Sequence, residues 1–158
     1  MNISLIIISY CLWIFLCVGG GAAVGIFTAG GVSDWYQTLN KPAWTPPDWV
    51  FAPVWTVLYI MMGVAACLIW RNGGWRKQSK ALGLFIIQLL LNYIWSFIFF
   101  TAQRLDWALA EIIILLVSIV ITIWQFAKID RRASLLLIPY CLWVMFATAL
   151  TAAILFIQ

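Results

Sequence analysis

The chain has 158 residues, of which 66% are apolar, nine are Lys or Arg, five are Asp or Glu and none is His. Its mean hydropathy of +1.06 is more than a small soluble core could hide, which excludes a cytosolic globular enzyme. A disordered chain is excluded too, since it needs low hydrophobicity and high charge.

In chain order, uninterrupted apolar length sets the expected elements, because a bilayer crossing takes about 20 residues of helix. The first span is expected at about 3–27, within a stretch free of charge up to Asp34. It has no basic n-region and is too long for a signal-peptide core, so it is read as a membrane helix. A long loop follows at 30–48, then spans at about 49–70, 81–103, 107–127 and 134–157. Backbone polar groups in hydrocarbon must be satisfied within the segment, which makes the spans α-helices. Runs such as Glu111–Val117 are apolar on every face and lack the alternation of a barrel strand. The expectation is an all-α membrane protein, one domain over 1–158, built as a five-transmembrane-helix bundle with a folded aromatic first loop.

Charge sets orientation. Arg71, Arg76, Lys77 and Lys80 lie between spans 2 and 3, and Lys128, Arg131 and Arg132 between spans 4 and 5. Only Lys41 and Arg104 lie on the other side. That bias places the N-terminus and the basic loops in the cytoplasm. It also accounts for the net positive charge, so no nucleic-acid partner is expected.

The residue inventory limits the chemistry. Without histidine the commonest metal ligand and general base are missing. Cys11, Cys17, Cys67 and Cys141 form no CxxC pair and read as small hydrophobes. No metal site and no obligatory cofactor is expected. Eleven tryptophans are the outlier.

The loop at 30–48 carries Trp35, Tyr36 and Trp44 and is stiffened by Pro42, Pro46 and Pro47. It fits either an interfacial aromatic belt or a folded lid over the mouth of the bundle. Trp35-Tyr36-x-x-Leu39-x-Lys41-Pro42-x-Trp44-x-Pro46-Pro47 resembles the signature of the tryptophan-rich sensory protein / translocator protein family, also called peripheral-type benzodiazepine receptors. Gln88-x-x-x-Asn92-x-x-Trp95-x-x-x-Phe99-Phe100 resembles its third helix, and Pro139-Tyr140-x-x-Trp143-x-x-Phe146-Ala147-Thr148 its fifth.

The resemblance covers almost the whole chain and implies a five-helix protein of the bacterial cell membrane, commonly a homodimer. It implies binding of porphyrins and of flat hydrophobic molecules such as isoquinoline carboxamides, in a pocket closed by the first loop, with membrane lipid around it. Carried over by position, the pocket residues are Phe51, Ala52 and Val54; Trp107, Ala110 and Ile114; and Ala147 and Leu150. Trp35, Tyr36 and Trp44 of the loop and Asn92 and Trp95 of the third helix join them. Trp55 and Trp143 resemble the two tryptophans implicated in light-dependent porphyrin breakdown, the only catalytic roles the resemblance offers. The alternative function is a transporter of porphyrin or lipid-like ligands, though the chain shows no inverted repeat.

Spacing bears on these residues independently. Trp107, Ala110 and Ile114 share one helical face, as do Trp143, Ala147 and Leu150. Each trio fits a ligand shelf or ordinary close helix packing. Gln88 and Asn92, one turn apart at membrane depth, should bond across helices or face a polar ligand group. Glu111 is expected near the interface, in a solvated or cross-helix role. The Gly21-x-x-x-Gly25 step permits a close contact, within the bundle or between subunits, and a dimer contact is the preferred reading. Two departures from the family stand out. The chain ends Ala152–Gln158 without the Tyr and Arg of the animal cholesterol motif, so cholesterol is not an expected ligand. Phe97 replaces a proline, which puts a bend in the third helix in doubt.

Overall fold

The structure, a computed structural model, describes residues 3–158. Among them, five stretches are long and apolar enough to cross a membrane: Ile3–Thr38, Asp48–Arg71, Gly74–Thr101, Leu105–Ala127 and Arg131–Ile157. The protein is an all-α, multi-pass membrane protein, and no strand occurs among the described residues.

Helix α1 covers Ile3–Gly30 and continues through a π turn, Gly31–Trp35, and a final turn, Tyr36–Thr38. The loop expected at 30–48 therefore shrinks to Leu39–Pro47, and its first half is helix. Two features account for this. No proline occurs before Pro42, and Gly31 lies so close to the Phe100 carbonyl that a Cβ would collide with it. Helix α2 is Phe51–Arg71, preceded by a 3-10 turn at Asp48–Val50. Pro53 sits in its first turn, where a missing N–H costs little. Gly73 and Gly74, at φ 121° and 62°, turn the chain into α3.

Helix α3 is Gly74–Ser96, with a break at Gln78, and it ends in a π turn at Phe97–Thr101. Its basic first turns stand outside the apolar run, which is why apolar length alone put the start at 81. The wide turn begins at Phe97, so the distortion forms here without proline. Helix α4 is Leu105–Ala127. The fifth span divides into α5, Arg131–Leu136, capped by the Asp130 side chain, and α6, Ile138–Ile157. Pro139 cannot supply the N–H that would continue α5, and the chain re-aims at Leu137.

Side chains from α2 to α6, among them Met62, Leu82, Phe85, Ile119, Phe126 and Tyr140, fill the core. Helix α1 buries only Cys17 and Thr28 and packs chiefly on α2. There Gly63 faces the backbone of Ile14, and Gly21 faces the Tyr59 ring. The close contact expected at Gly21 is thus made inside the bundle. Tyr93 lies against Gly20 and its hydroxyl donates to the Cys17 carbonyl at 2.9 Å.

Two long-range hydrogen bonds pin the ends. Arg71 donates to the Tyr10 hydroxyl at 3.1 Å, and Gln158 donates to the Asn40 carbonyl at 3.1 Å. The seven basic residues of the α2–α3 and α4–α5 turns lie at the end opposite the Leu39–Pro47 connector.

Candidate ligand cavity

At the connector end, α1, α2, the end of α3 and α6 enclose a cavity of about 400 Å³. That lies within the range of about 300–1,000 Å³ typical of small-molecule sites. Small residues make the room: Gly21, Ala22 and Gly25 on α1, Ala52 on α2 and Ala147 on α6. No side chain fills the space in front of Gly25, where an added Cβ would touch nothing within 4 Å.

The walls are aromatic. Trp55 stacks on Tyr59 at 5.5 Å, and Trp95 stacks on Phe99 at 4.9 Å. Trp143 meets Phe51 edge-on at 5.9 Å and Phe146 at 5.4 Å. Such pairs fix the ring planes along the cavity. The lining also includes Tyr36 and Asp48 near the mouth, and Leu150, Thr151 and Ile154 on α6.

The mouth is braced. Gln37 donates to Asp48 at 2.7 Å, tying the end of α1 to the start of α2. The Lys41 ammonium lies 4.2 Å over the Tyr36 ring. Trp44 packs edge-on against Phe146 at 5.7 Å, so the connector touches the same aromatic row that holds Trp143. These contacts fit a folded lid better than a belt lying loose in the interface.

The structure brings together Tyr36, Phe51, Ala52, Trp55, Trp95, Trp143, Ala147 and Leu150 in this lining. Trp35 packs behind it on Phe99 at 5.5 Å, and Trp44 covers it from outside. Val54 packs into the main core, and Asn92 accepts a hydrogen bond from the Tyr59 hydroxyl at 2.6 Å, one layer behind the wall.

Trp107, Ala110 and Ile114 are not in the cavity. α4 turns Ala108, Glu111, Ile112 and Leu115 into the bundle, so the trio faces outward, with Trp107 64% and Ile114 59% exposed. Their spacing identified a shared face but not the direction it points. Helix α1 supplies lining that sequence reasoning missed, above all Val18, Gly21, Ala22 and Gly25. The glycine-rich run Gly19–Gly25 is the available signal, and its spacing alone fits a helix contact equally well.

Polar atoms without partners complete the picture. The Tyr36 hydroxyl and the indole N–H groups of Trp95 and Trp143 are buried with no hydrogen-bond acceptor. All three belong to side chains that line the cavity.

Comparison with known proteins agrees with this architecture. The model of the TspO/MBR family matches residues 5–157. The tryptophan-rich protein TspO of Chlorobaculum tepidum is 45% identical over 157 residues, covering 98% of each chain. The protein of the same name from Archaeoglobus fulgidus is 42% identical over 134 residues, 85% of this chain and 86% of its own. The translocator protein of Homo sapiens is 38% identical over 126 residues, 78% of this chain and 75% of its own. The chain belongs to the TspO/MBR family.

Proposed function

We propose that this protein binds and senses porphyrins and similar flat hydrophobic molecules in the cavity between α1, α2, α3 and α6. The observation that carries the reading is the cavity itself: aromatic side chains of α2, α3 and α6 opposite the glycines and alanine of α1. A planar macrocycle gains stacking on Trp55, Trp95 and Trp143 and needs the room that Ala52 and Ala147 leave. No histidine, reactive thiol or carboxylate pair lines the site. Light-dependent loss of bound porphyrin would therefore draw on the ligand's own photochemistry, with Trp55 and Trp143 as the oxidisable neighbours.

The test is a tryptophan-fluorescence titration with protoporphyrin IX on the protein in nanodiscs. Saturable quenching is expected for wild type. Ala147→Leu fills the shelf beside Trp143 and should weaken binding by about 1–3 kcal/mol, the cost of overpacking. Equal affinity in the variant would place the ligand elsewhere.

The orientation proposed with this function has the N-terminus and both basic turns in the cytoplasm, and the cavity mouth on the opposite side.

A further inference from the structure

Behind the cavity wall, the bundle interior holds polar side chains that the binding site does not use. Tyr140 on α6 is fully buried, and Gln88 and Asn92 on α3 and Glu111 on α4 are at least nine-tenths buried. Their only hydrogen bond to a side chain is the one Asn92 accepts from Tyr59. Both Glu111 oxygens, the Tyr140 hydroxyl and the whole Gln88 amide have no partner. Helix α4, which carries Glu111, packs against both α3 and α6, the helices that carry Asn92 and Tyr140.

Glu111 has no cation to pair with. All nine Lys and Arg residues lie in the turns or at helix ends, and the ion pair among the described residues is Arg104–Asp106, at the water-facing end of α4. Helices α3, α5 and α6 and the π turn at Phe97–Thr101 all pack on α4; the polar side chains they bury are Gln88 and Asn92 on α3, Ser134 on α5, and Tyr140 and Thr151 on α6, none of them charged. The titratable groups on this side are Tyr140, its neighbour Cys141 and, through Asn92, Tyr59; none carries a charge at neutral pH. A carboxylate sealed among such groups has neither water nor a counter-ion, and the neutral acid is the form such a place accepts.

We propose that Glu111 is a proton-binding site inside the bundle, and that Tyr140, Asn92 and Tyr59 couple its proton to occupancy of the ligand cavity. A neutral acid can donate as well as accept, which matches the unpaired hydroxyl of Tyr140. Tyr59 connects this group to the cavity, since its ring lines the wall while its hydroxyl is held by Asn92. Trp55 leans on both tyrosines, stacked on Tyr59 at 5.5 Å and edge-on to Tyr140 at 6.3 Å. A ligand stacking on Trp55 therefore presses on the Tyr59–Asn92 pair and on Tyr140 together. By linkage, a ligand that alters the hold of Glu111 on its proton binds with an affinity that depends on pH. The coupling rests on the porphyrin reading of the cavity; the proton site does not.

The sequence makes the experiment clean, because Glu111 is the only glutamate and the other acids are Asp34, Asp48, Asp106 and Asp130. Infrared spectra of the full chain in nanodiscs at neutral pH should contain the carbonyl stretch of a protonated carboxylic acid. Isotope-labelled glutamate should move that band, Glu111→Gln should abolish it, and Glu111→Asp should restore it at a shifted position. Saturation with protoporphyrin IX should shift the glutamate-labelled band. A wild-type spectrum without the band, or a band unmoved by the label, overturns the proton site. A labelled band that stays put while tryptophan fluorescence is quenched overturns the coupling. Unquenched fluorescence overturns the porphyrin reading, and the ligand-free band still decides the proton site.

Discussion

Trp55 lies between Tyr59 and Tyr140, and Trp143 lies between Phe51 and Phe146, so the two indoles face one cavity from different helices. If bound porphyrin is lost in light through these rings, Trp55→Phe and Trp143→Phe should each retain the ligand and slow its loss. Porphyrin absorbance under illumination measures this, and equal decay in wild type and the double variant would leave the rings a packing role alone. Two glycines a turn apart make a second contrast. A Cβ at Gly21 would run into the Tyr59 ring, which cannot yield because Asn92 holds its hydroxyl and Trp55 covers its face. Gly21→Ala should cost about 1–3 kcal/mol of stability. Gly25→Ala meets open space and should leave the melting temperature unchanged or raised. A thermal scan in detergent compares them, and equal losses would sink the argument.

Among the elements, the connector from Leu39 to Pro47 depends on a few contacts, among them Trp44 on Phe146 and Lys41 over Tyr36. An edge-on aromatic pair contributes about 1 kcal/mol beyond its area. Trp44→Ala should therefore speed porphyrin release by about fivefold to tenfold with little change in melting temperature. Stopped-flow displacement measures the rate, and an unchanged rate would mean that the connector does not cover the ligand. The spans themselves were legible because apolar length is a direct physical requirement of the bilayer. Their ends were not. The continuation of α1 to Thr38 depends on Gly31 fitting against Phe100, and the π turn at Phe97 on contacts of Phe99 and Phe100 with α1, and a chain read locally contains neither. The site divided the same way. Phe51, Ala52 and Trp55 of α2 and Trp143, Ala147 and Leu150 of α6 line the cavity while Val54 packs into the core, whereas the α4 trio needed the direction of its face. Only Ala108, Ile112 and Leu115 turning inward decides that.

For the whole molecule, the two ends differ sharply in charge, and this gives a topology that can be measured. In a background without Cys11, Cys17, Cys67 and Cys141, single cysteines at Lys80 and Arg131 should resist an impermeant thiol reagent in intact cells. One at Gln158 should react, since that residue bonds to Asn40 of the connector. Labelling at Lys80 from outside would invert the orientation. Helix α1 adds a consequence of length. Its stretch Ile3–Thr38 has 36 residues, about 54 Å at 1.5 Å per residue, against about 30 Å of hydrocarbon. The last turns, with Trp35 and Tyr36, are thus a rigid post whose height is fixed by helical rise and whose base is set in the acyl layer. Close contacts at Gly21, Gly31 and Gly63 lock α1 to α2 and to the end of α3, so a thicker or thinner bilayer has to tilt the bundle with α1 and leaves the post seated on Phe99 and Phe100.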